Sequence, residues 1–489
     1  MQVRSEQFSR MSAQAIDDPQ IQRSLLRVME HFDHGRMEAI EELTPEVWER
    51  YRERGRQIKA HTMENLDYYL GLLAARVQGN GGVVHFARDA KEATDIVVEV
   101  AHSRGVKLVT KSKSMVSEEM GLNHVLEANG IEPVETDLGE YIIQLAGETP
   151  FHIIAPAMHK SKEQVSDLFV DKLGMERITE IPAMTLAARR VLREKFLSAD
   201  MGISGVNFAV AETGSVLIVT NEGNGRMCTS LPRIHLAVMG MEKVVPALED
   251  LAVMLRLLPR AATGQRITSY VTLVSGPRRR SDEDGPDEFH LVIMDNGRSK
   301  LLADPDLREA LYCIRCGACL NTCPVYRKVG GHAYGWVYPG PIGAVVTPVL
   351  TGLPRAKALP FASTLCGACR DVCPLKINIP HMLLKLRSQL IEGEPAQRKV
   401  SWRERALFKL WGRIVSSERR LAGFRRLAAF LQRPFTRGGR MRRVPLPPFS
   451  RWTRDRDFPA LAPRSFHQLW EKELKSKGTN GSSRGDSNG

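Results

Sequence analysis

The sequence of 489 residues contains no long hydrophobic run and only eight cysteines. No apolar stretch reaches the roughly 18 residues that a membrane helix needs, and the nearest candidate, residues 343–353, is interrupted by Pro348 and Gly352. The first 20 residues lack the apolar segment of a signal peptide. Eight cysteines are also few for a secreted chain held together by disulfides. These absences predict a soluble cytoplasmic protein.

Nucleotide-binding signatures are also absent. No G-x-G-x-x-G motif follows an early strand, and the GNGG at Gly79 precedes its strand, so we predict no flavin or nicotinamide site. Aromatic residues are sparse in the most basic part of the chain, and no RNA-module signature occurs there. We therefore expect no nucleic-acid partner.

The formal net charge of +13 comes almost entirely from one C-terminal stretch. Residues 401–459 contain 16 Lys and Arg against four Asp and Glu, an excess of 12 positive charges. Apolar residues recur at helical spacing between residues 401 and 431, which indicates one or two basic amphipathic helices. A solvated face explains this pattern. Docking to an acidic partner, or peripheral contact with a membrane that holds a quinone-linked acceptor, is the functional alternative.

Hydrophobic periodicity divides the rest of the chain. Helical spacing covers residues 18–34 and 45–78, and from Gly81 short apolar strands alternate with amphipathic helices. This alternation predicts an α/β domain with a mainly parallel sheet, part of which is antiparallel where the later strands lie closer together. The predicted strands are VVHFA, KLVT, PVET, HIIAP, NFAVA, SVLIV, IHLAVMG, SYVTLVSG and EFHLVIMD.

Seven of the eight cysteines lie in two segments that align through a shared CGAC. The segments are CIRCGACLNTCP from Cys313 and STLCGACRDVCP from Ser363, so the second has a serine where the first begins with cysteine. C-x2-C-x2-C-x3-C-P is the bacterial ferredoxin run, in which three close thiolates bind one cubane cluster and the fourth reaches the other cluster. The sequence therefore predicts an internal repeat that binds two 4Fe-4S clusters.

Crossed ligation assigns the cysteines to the two clusters. The first cluster would be bound by Cys313, Cys316, Cys319 and Cys373. The second would be bound by Cys323, Cys366 and Cys369, with Ser363 as the candidate fourth ligand. Two zinc knuckles do not explain the duplicated Cys-Pro ending. The second site could hold a 4Fe-4S cluster with serine, water or substrate on one iron, a 3Fe-4S cluster, or a labile cluster.

Anion binding is a possibility at two other places. Residues 212–226 form a predicted strand and turn that offer Asn221, Asn224 and Arg226 to a carboxylate or phosphate; a hairpin turn that needs its glycines explains the segment equally well. KSKSM at Lys111 is expected to be a solvated loop, although an anion at a helix start is the alternative.

Three more residues are weighed as ligands or reactive groups. His332 and His381 lie near the cysteine motifs, and we expect both to pack beside the clusters rather than to bind iron. Cys228 stands apart from the motifs and is expected to be an incidental thiol.

Long segments across the chain resemble the LutB family, the iron-sulfur subunit of the bacterial three-component lactate utilisation system. The segments that carry the resemblance are ENLDYYLGLLA, KSKSMVSEEM, ETDLGEYIIQL, TGSVLIVTNEGNGR, VMGMEKVVP, GPDEFHLVIMDNGRS, CIRCGACLNTCPVYRKVGGHAYG, YPGPIGAV and LCGAC. The serine at position 363 also fits the family pattern, whereas the Arg-rich stretch at 419–456 departs from it.

The resemblance implies an α/β domain of the lactate-utilisation type, similar in fold to sugar-isomerase and CoA-transferase proteins, followed by an α-helical ferredoxin domain. The expected organisation is a helical N-terminal arm (1–80), the α/β domain (81–300), the two-cluster domain (301–395), a basic helical region (396–470) and a disordered tail (471–489).

The family implies an electron-transfer subunit that acts during oxidation of L-lactate to pyruvate, beside a cysteine-rich partner and a second α/β partner. One alternative is a catalytic subunit that binds substrate at the three-cysteine cluster. A second is a metabolite-sensing module in which the clusters are structural. The residues alone do not identify a stand-alone enzyme.

Overall fold

The computed structural model describes residues 3–393, 402–441, 444, 450, 453, 456–462 and 464–471. The chain divides into two compact units, residues 1–399 and residues 400–489. The predicted disordered tail lies outside the described residues, apart from its first position.

A six-stranded sheet, parallel throughout, is the centre of the first unit. Its strands are β1 (Val83–Ala87), β2 (Leu108–Lys111), β3 (Glu132–Glu135), β4 (Met201–Gly205), β7 (Ile234–Gly240) and β10 (Glu288–Met294). They lie in the order β1-β10-β7-β4-β2-β3. The chain passes from β2 to β3 on one side, and from β4 through β7 to β10 on the other. The direction across the sheet therefore reverses between β2 and β4, where α/β proteins commonly bind ligands.

A second sheet of four strands packs in the same unit. Its strands are β5 (Phe208–Val210), β6 (Ser215–Thr220), β8 (Val244–Val245) and β9 (Tyr270–Val274). Strand β6 is antiparallel to both β5 and β9, and β5 is parallel to β8. The tight turn between β5 and β6 uses Gly214 at φ 69°. This sheet contributes to the same hydrophobic core as the cysteine segments and the N-terminal helices.

Helices cover the sheets, and two short ones carry Cys319 and Cys369. From residue 8 to residue 198 they are α1 (Phe8–Asp17), α2 (Pro19–Glu41), α3 (Pro45–Glu64), α4 (Leu66–Gly79), α5 (Ala90–Ser103), α6 (Met115–Met120), α7 (Leu122–Ala128), α8 (Leu138–Ala146), α9 (Lys162–Leu173) and α10 (Ile181–Ser198). From residue 224 to residue 392 they are α11 (Asn224–Ser230), α12 (Leu248–Thr263), α13 (Arg298–Ala303), α14 (Ala318–Thr322), α15 (Tyr326–Val329), α16 (Gly340–Thr351), α17 (Ala368–Asp371) and α18 (Ile379–Glu392).

The N-terminal helices pack against the cysteine segments. Arg52 on α3 donates hydrogen bonds to the carbonyl oxygens of Cys373, at 2.9 Å, and Asp371, at 2.8 Å. Lys376 forms ion pairs with Glu49 at 2.7 Å and Glu53 at 2.9 Å. These contacts fix the chain at the end of the second cysteine segment.

Two predictions about strands are wrong. HIIAP at residues 152–156 forms bends and a turn. Its amides are held locally, because Nδ1 of His152 accepts hydrogen bonds from the amides of Ile154 and Ala155 at 3.1 and 3.2 Å. The main sheet has no antiparallel part within the described residues, since the closely spaced strands form the separate sheet. Tight turns join antiparallel strands, whereas parallel neighbours need crossovers.

The prediction of a solvated loop at Lys111 is also wrong. Lys111 is the last residue of β2 and is fully buried. Its ammonium donates to Glu135 and Asn123. An ion pair explains how this lysine remains inside the protein.

The second unit contains two basic helices, as the amphipathic pattern predicts. They are α19 (Trp402–Val415) and α20 (Glu418–Leu431), followed by β11 (Thr436–Arg437), β12 (Arg440–Met441), β13 (Phe458–Pro459) and α21 (Phe466–Leu469). Many of their apolar side chains are exposed, including Trp402, Leu407, Phe408 and Phe430. No helix in the described part of either unit combines the length and apolar character that a membrane span requires.

Candidate iron-sulfur centre and adjacent pocket

Four cysteines, Cys313, Cys316, Cys319 and Cys373, line one small pocket. Three come from the first cysteine segment and one from the end of the second, so the fold brings together the set that crossed ligation predicts for the first cluster. Apolar side chains complete the wall, among them Ile153, Ile342, Leu375, Ile377 and Ile379. We call this the first cysteine set.

The backbone of the first segment aims its sulfur atoms to one side. Arg315 and Gly317 both have left-handed conformations, with φ values of 61° and 76°. The chain therefore turns sharply on each side of Cys316 before α14 begins at Ala318. The amide of Arg315 donates to Sγ of Cys313 at 3.4 Å. Amides that point at sulfur stabilise negative charge on a ligating thiolate.

The second segment repeats this backbone. Leu365 and Gly367 have φ values of 55° and 88°, and α17 begins at Ala368, the position equivalent to Ala318. The amide of Leu365 donates to Oγ of Ser363 at 3.1 Å, as the amide of Arg315 donates to Cys313. Ser363 therefore presents its oxygen where the first segment presents a sulfur.

The second cysteine set is Cys323, Cys366 and Cys369, together with Ser363. Cys323 and Cys369 are buried, whereas Cys366 is exposed to solvent. Burial raises the pKa of Cys369 to about 12, and the nearby thiols of Cys323 and Cys366 add to this rise. The hydrogen bond with Thr364 lowers the pKa of Cys366. This set thus reaches the surface.

The chemistry of the donors fits iron-sulfur clusters. Burial raises the pKa of Cys373 to about 11, and burial together with Cys373 and Cys313 raises that of Cys316 further. Without a metal these buried thiols would stay protonated, whereas a bound metal displaces their protons and its positive charge stabilises the thiolates. Among the described residues, no three His, Cys, Asp or Glu side chains are placed for a single metal ion. The first set surrounds a pocket instead.

A larger cavity of about 310 Å³ lies at the carboxyl edge of the six-stranded sheet. We call it the edge pocket. Residues that follow β2, β4 and β7 form it, so it opens where the direction across the sheet reverses. Ile153, Ile314 and Arg315 line both the edge pocket and the first cysteine set. Its polar lining includes Lys113, Ser114, Asp137, Asn207, Thr220, Asn221, Glu222, Asn224, Lys243, Arg315 and Tyr338.

A buried network of charged side chains lies beside the edge pocket. Arg298 donates to Glu119 at 2.8 and 2.9 Å and to Glu242 at 2.6 Å. Tyr338 donates its hydroxyl hydrogen to Glu119 at 2.6 Å. Burial alone would raise the pKa of Glu242, but the charges of Arg298 and Arg315 outweigh it and lower that pKa to about 2. Glu242 is therefore a carboxylate.

Positive charge exceeds negative charge beside the first cysteine set. Arg315 lies 4.5 Å from the ring centre of Tyr338 and 3.7 Å from Glu242. Burial lowers the pKa of Lys59 to about 7 and that of Lys243 to about 8. The buried basic side chains are Lys59, which is about half protonated near pH 7, Lys243, Arg298 and Arg315, against the carboxylates Glu119 and Glu242. Such an excess suits a site that receives negatively charged groups.

Three family models cover most of the chain. A LUD domain matches residues 70–294, a 4Fe-4S dicluster domain matches residues 309–377, and the C-terminal domain of lactate utilisation protein B matches residues 386–475. Proteins named lactate utilization protein B are 46% identical in Bacillus cytotoxicus and 44% identical in Bacillus licheniformis. These matches cover 98% of this chain and 99% of each relative. The chain belongs to the lactate utilization protein B family.

Another family member, from Oceanobacillus iheyensis, is 44% identical over 96% of both chains. The resemblance stated from sequence is thus confirmed, as is the expected fold of an α/β domain followed by an iron-sulfur domain. A crystal structure of a DUF162 family protein from Deinococcus radiodurans matches 47% of this chain and 98% of its own at 11% identity. Its TM-score is 0.26.

The three residues predicted as candidates for anion binding do not lie in one site of this family member. Asn221 and Asn224 line the edge pocket, whereas Arg226 is exposed and lies 5.5 Å from the ring centre of Tyr270. The segment is not a hairpin, because Asn224 begins α11. Oδ1 of Asn224 is buried and has no hydrogen-bond partner.

The other sequence candidates occupy structural positions. Nε2 of His332 lies 2.7 Å from the carbonyl oxygen of Thr149, and His381 lies 3.3 Å from Asp306. Cys228 is a fully buried free thiol, and burial raises its pKa to about 12.

Sequence reasoning missed Lys243 and Arg315 as lining residues of the edge pocket, whereas Lys113 belongs to the KSKSM segment for which anion binding was the alternative. A signal for Lys243 was present, since Glu242 and Lys243 follow β7, a strand that is buried throughout and largely apolar, and ligands bind at the carboxyl ends of such strands in α/β sheets. No local signal marked Arg315, which reaches the pocket because a cysteine segment folds against the α/β domain.

Proposed function

We propose that this protein is the electron-transfer subunit of a lactate utilisation system and carries electrons during oxidation of L-lactate to pyruvate. That reaction releases two electrons and two protons from the hydroxyl-bearing carbon and its oxygen. Two 4Fe-4S clusters, held by the two cysteine sets, would supply one-electron chemistry. Family membership supports a role in lactate utilisation.

One observation carries the electron-transfer role. The first cysteine set is buried beside the edge pocket, while the second reaches the surface at Cys366. A fold that buries one redox site and exposes the other suits a protein that transfers electrons from an internal site to an external acceptor. The proposed acceptor is a partner subunit or a quinone-linked protein.

The basic C-terminal unit is the proposed docking surface. Its helices combine Arg and Lys side chains with exposed Trp, Leu and Phe side chains. Such a surface suits an acidic partner or an anionic membrane surface. The proposed partners are a cysteine-rich subunit and a second α/β subunit, in the cytoplasm.

An anaerobic redox titration tests the carrier role. For two cubane clusters, iron and sulfide analysis should give about eight irons, and low-temperature EPR should show reversible reduction. About seven irons with a signal in the oxidised protein would indicate a three-iron centre at the second set. Clusters that do not undergo reversible reduction would contradict the carrier role and favour a structural one.

A catalytic role at the second set is supported by one observation. Ser363 replaces a thiolate at a corner near the exposed Cys366. We propose Ser363→Cys as the discriminating variant. A carrier should keep turnover with an altered EPR spectrum and potential, whereas a substrate-binding iron should lose turnover when the added thiolate fills its site.

A further inference from the structure

We propose that the edge pocket binds a small 2-hydroxy- or 2-oxocarboxylate, with its carboxylate between Lys243 and Arg315. This inference deepens the proposed function by giving that function a ligand site in this chain.

The donors are two buried cations. Lys243 is 92% buried and lines the pocket, and its ammonium forms no hydrogen bond or ion pair with the described residues. Arg315 is 91% buried, and its Nη1 also has no partner. Nη1 of Arg315 is thus a buried donor without a partner, which is costly in a folded protein, and one carboxylate could accept hydrogen bonds from both side chains.

The nearby carboxylates do not neutralise these cations. Both oxygens of Glu119, and Oε2 of Glu242, accept hydrogen bonds from Arg298. Only Oε1 of Glu242 is directed toward Arg315, at 3.7 Å, which is beyond hydrogen-bond distance. The carboxylates of Glu119 and Glu242 therefore leave Lys243 and Arg315 without a close ion pair.

The rest of the lining favours an organic hydroxy acid over an inorganic oxyanion. Asp137 and Glu222 also line the pocket, so it contains acceptors as well as donors. The hydroxyl group of an organic acid can donate a hydrogen bond to such acceptors. Apolar side chains such as Val116, Ile153 and Leu258 give the carbon skeleton a surface to contact.

The position links the pocket to the first cysteine set. Arg315 lies between Cys313 and Cys316 in the chain, and it lines both cavities together with Ile153 and Ile314. The pocket also opens at the carboxyl ends of β2 and β4, on either side of the sheet's reversal point. A bound carboxylate would thus lie beside the first cysteine set.

The test is anaerobic titration calorimetry on the full-length protein with its clusters. The probes are L-lactate, pyruvate, oxalate and inorganic phosphate, and iron content and EPR of the reduced protein are measured in parallel. We expect a carboxylate to bind and to change the EPR signal, and Lys243→Met to weaken binding at least tenfold, which corresponds to about 1.4 kcal/mol.

Lys59→Met is the matched control. Lys59 is a buried lysine near the same cysteine set, but it does not line the pocket and donates to the carbonyl oxygens of Glu242 and Val244. Its loss should weaken carboxylate binding less than about threefold. Lys243→Gln provides a second pocket variant, and unchanged iron content in each variant establishes that the site is intact.

Several results would overturn the inference. They are no carboxylate binding by iron-replete protein, equal weakening by Lys243→Met and Lys59→Met, or binding of phosphate alone. The last two would show that the cations act through general charge or hold an inorganic ion. Reversible reduction without carboxylate binding would refute the pocket but not the carrier role. Carboxylate binding with irreducible clusters would refute the carrier role but not the pocket.

Discussion

The two cysteine segments share a backbone but differ in their surroundings. Both place a left-handed residue before the second motif position and a left-handed glycine after it, and both aim an amide at the first position. Yet one contributes most of a buried four-cysteine set beside a charged pocket, and the other leaves Cys366 exposed and has Ser363 in place of a thiol. Local sequence thus determines the backbone turn around the cysteines, and tertiary packing determines how deeply each segment is buried.

The first segment is also tied more closely to the α/β domain. His152 lies 3.0 Å from Oδ1 of Asn321 on α14, and the hydroxyl of Tyr326 donates to the carbonyl oxygen of Phe151 at 2.8 Å. The second segment is held mainly by the N-terminal α3 through Arg52. We therefore expect damage at the first segment to spread into the α/β domain.

The largest difference should come from removing one cysteine of each set. Cys316→Ala should lose roughly half of the iron and strongly destabilise the protein, since it opens a buried site lined by thiols. Cys366→Ala should also lose about half of the iron but leave the α/β core folded, because Cys366 is exposed. Iron assay and thermal unfolding measure both effects. Equal losses of stability would contradict the asymmetry.

The next effect concerns the charge network beneath the first set. Arg298→Met leaves Glu119 and Glu242 buried without their main partner, and it should cost about 3–5 kcal/mol of unfolding free energy. Urea denaturation measures this cost. The control is Arg104→Met, which breaks the exposed ion pair with Glu288 and should change stability little. A small effect of Arg298→Met would show that water reaches the network.

The smallest effect is a pH dependence at His152. Burial lowers its pKa from 6.5 to about 3, and its Nδ1 accepts two amide hydrogen bonds, so the ring is neutral. Because the folded state binds fewer protons than the unfolded chain, this stability is complete above pH 6.5 and is lost as the pH falls toward 3.

Comparison with His152→Asn isolates this contribution. The Asn side-chain oxygen can accept the same amide hydrogen bonds but does not titrate. Between pH 7 and pH 5.5 the native protein should lose about 1.3 kcal/mol more unfolding free energy than the variant. Urea denaturation at the two pH values measures the difference. Equal losses would show that His152 is protonated in the folded protein.

Much of the fold follows from local patterns. Pro19 and Pro45 begin long helices, and Asp18 and Asp89 accept amide hydrogen bonds at helix starts, as their positions before helical periodicity indicate. The apolar pattern gave a wrong prediction where a side chain, and not a neighbouring strand, binds the backbone amides. HIIAP has the composition of a strand, but the ring of His152 binds the following amides, and no local pattern shows that choice.

The sequence by itself determined the family, the α/β-plus-cluster architecture and the two cysteine segments, because spacing of ligands and of apolar residues is a local property. Only the tertiary structure brought Cys373 to Cys313, exposed Cys366 and placed Arg315 and Lys243 at one pocket. These residues are distant in sequence, and their proximity depends on how a parallel sheet packs against a helical domain. Charge that is scattered along the chain becomes a site only through that packing.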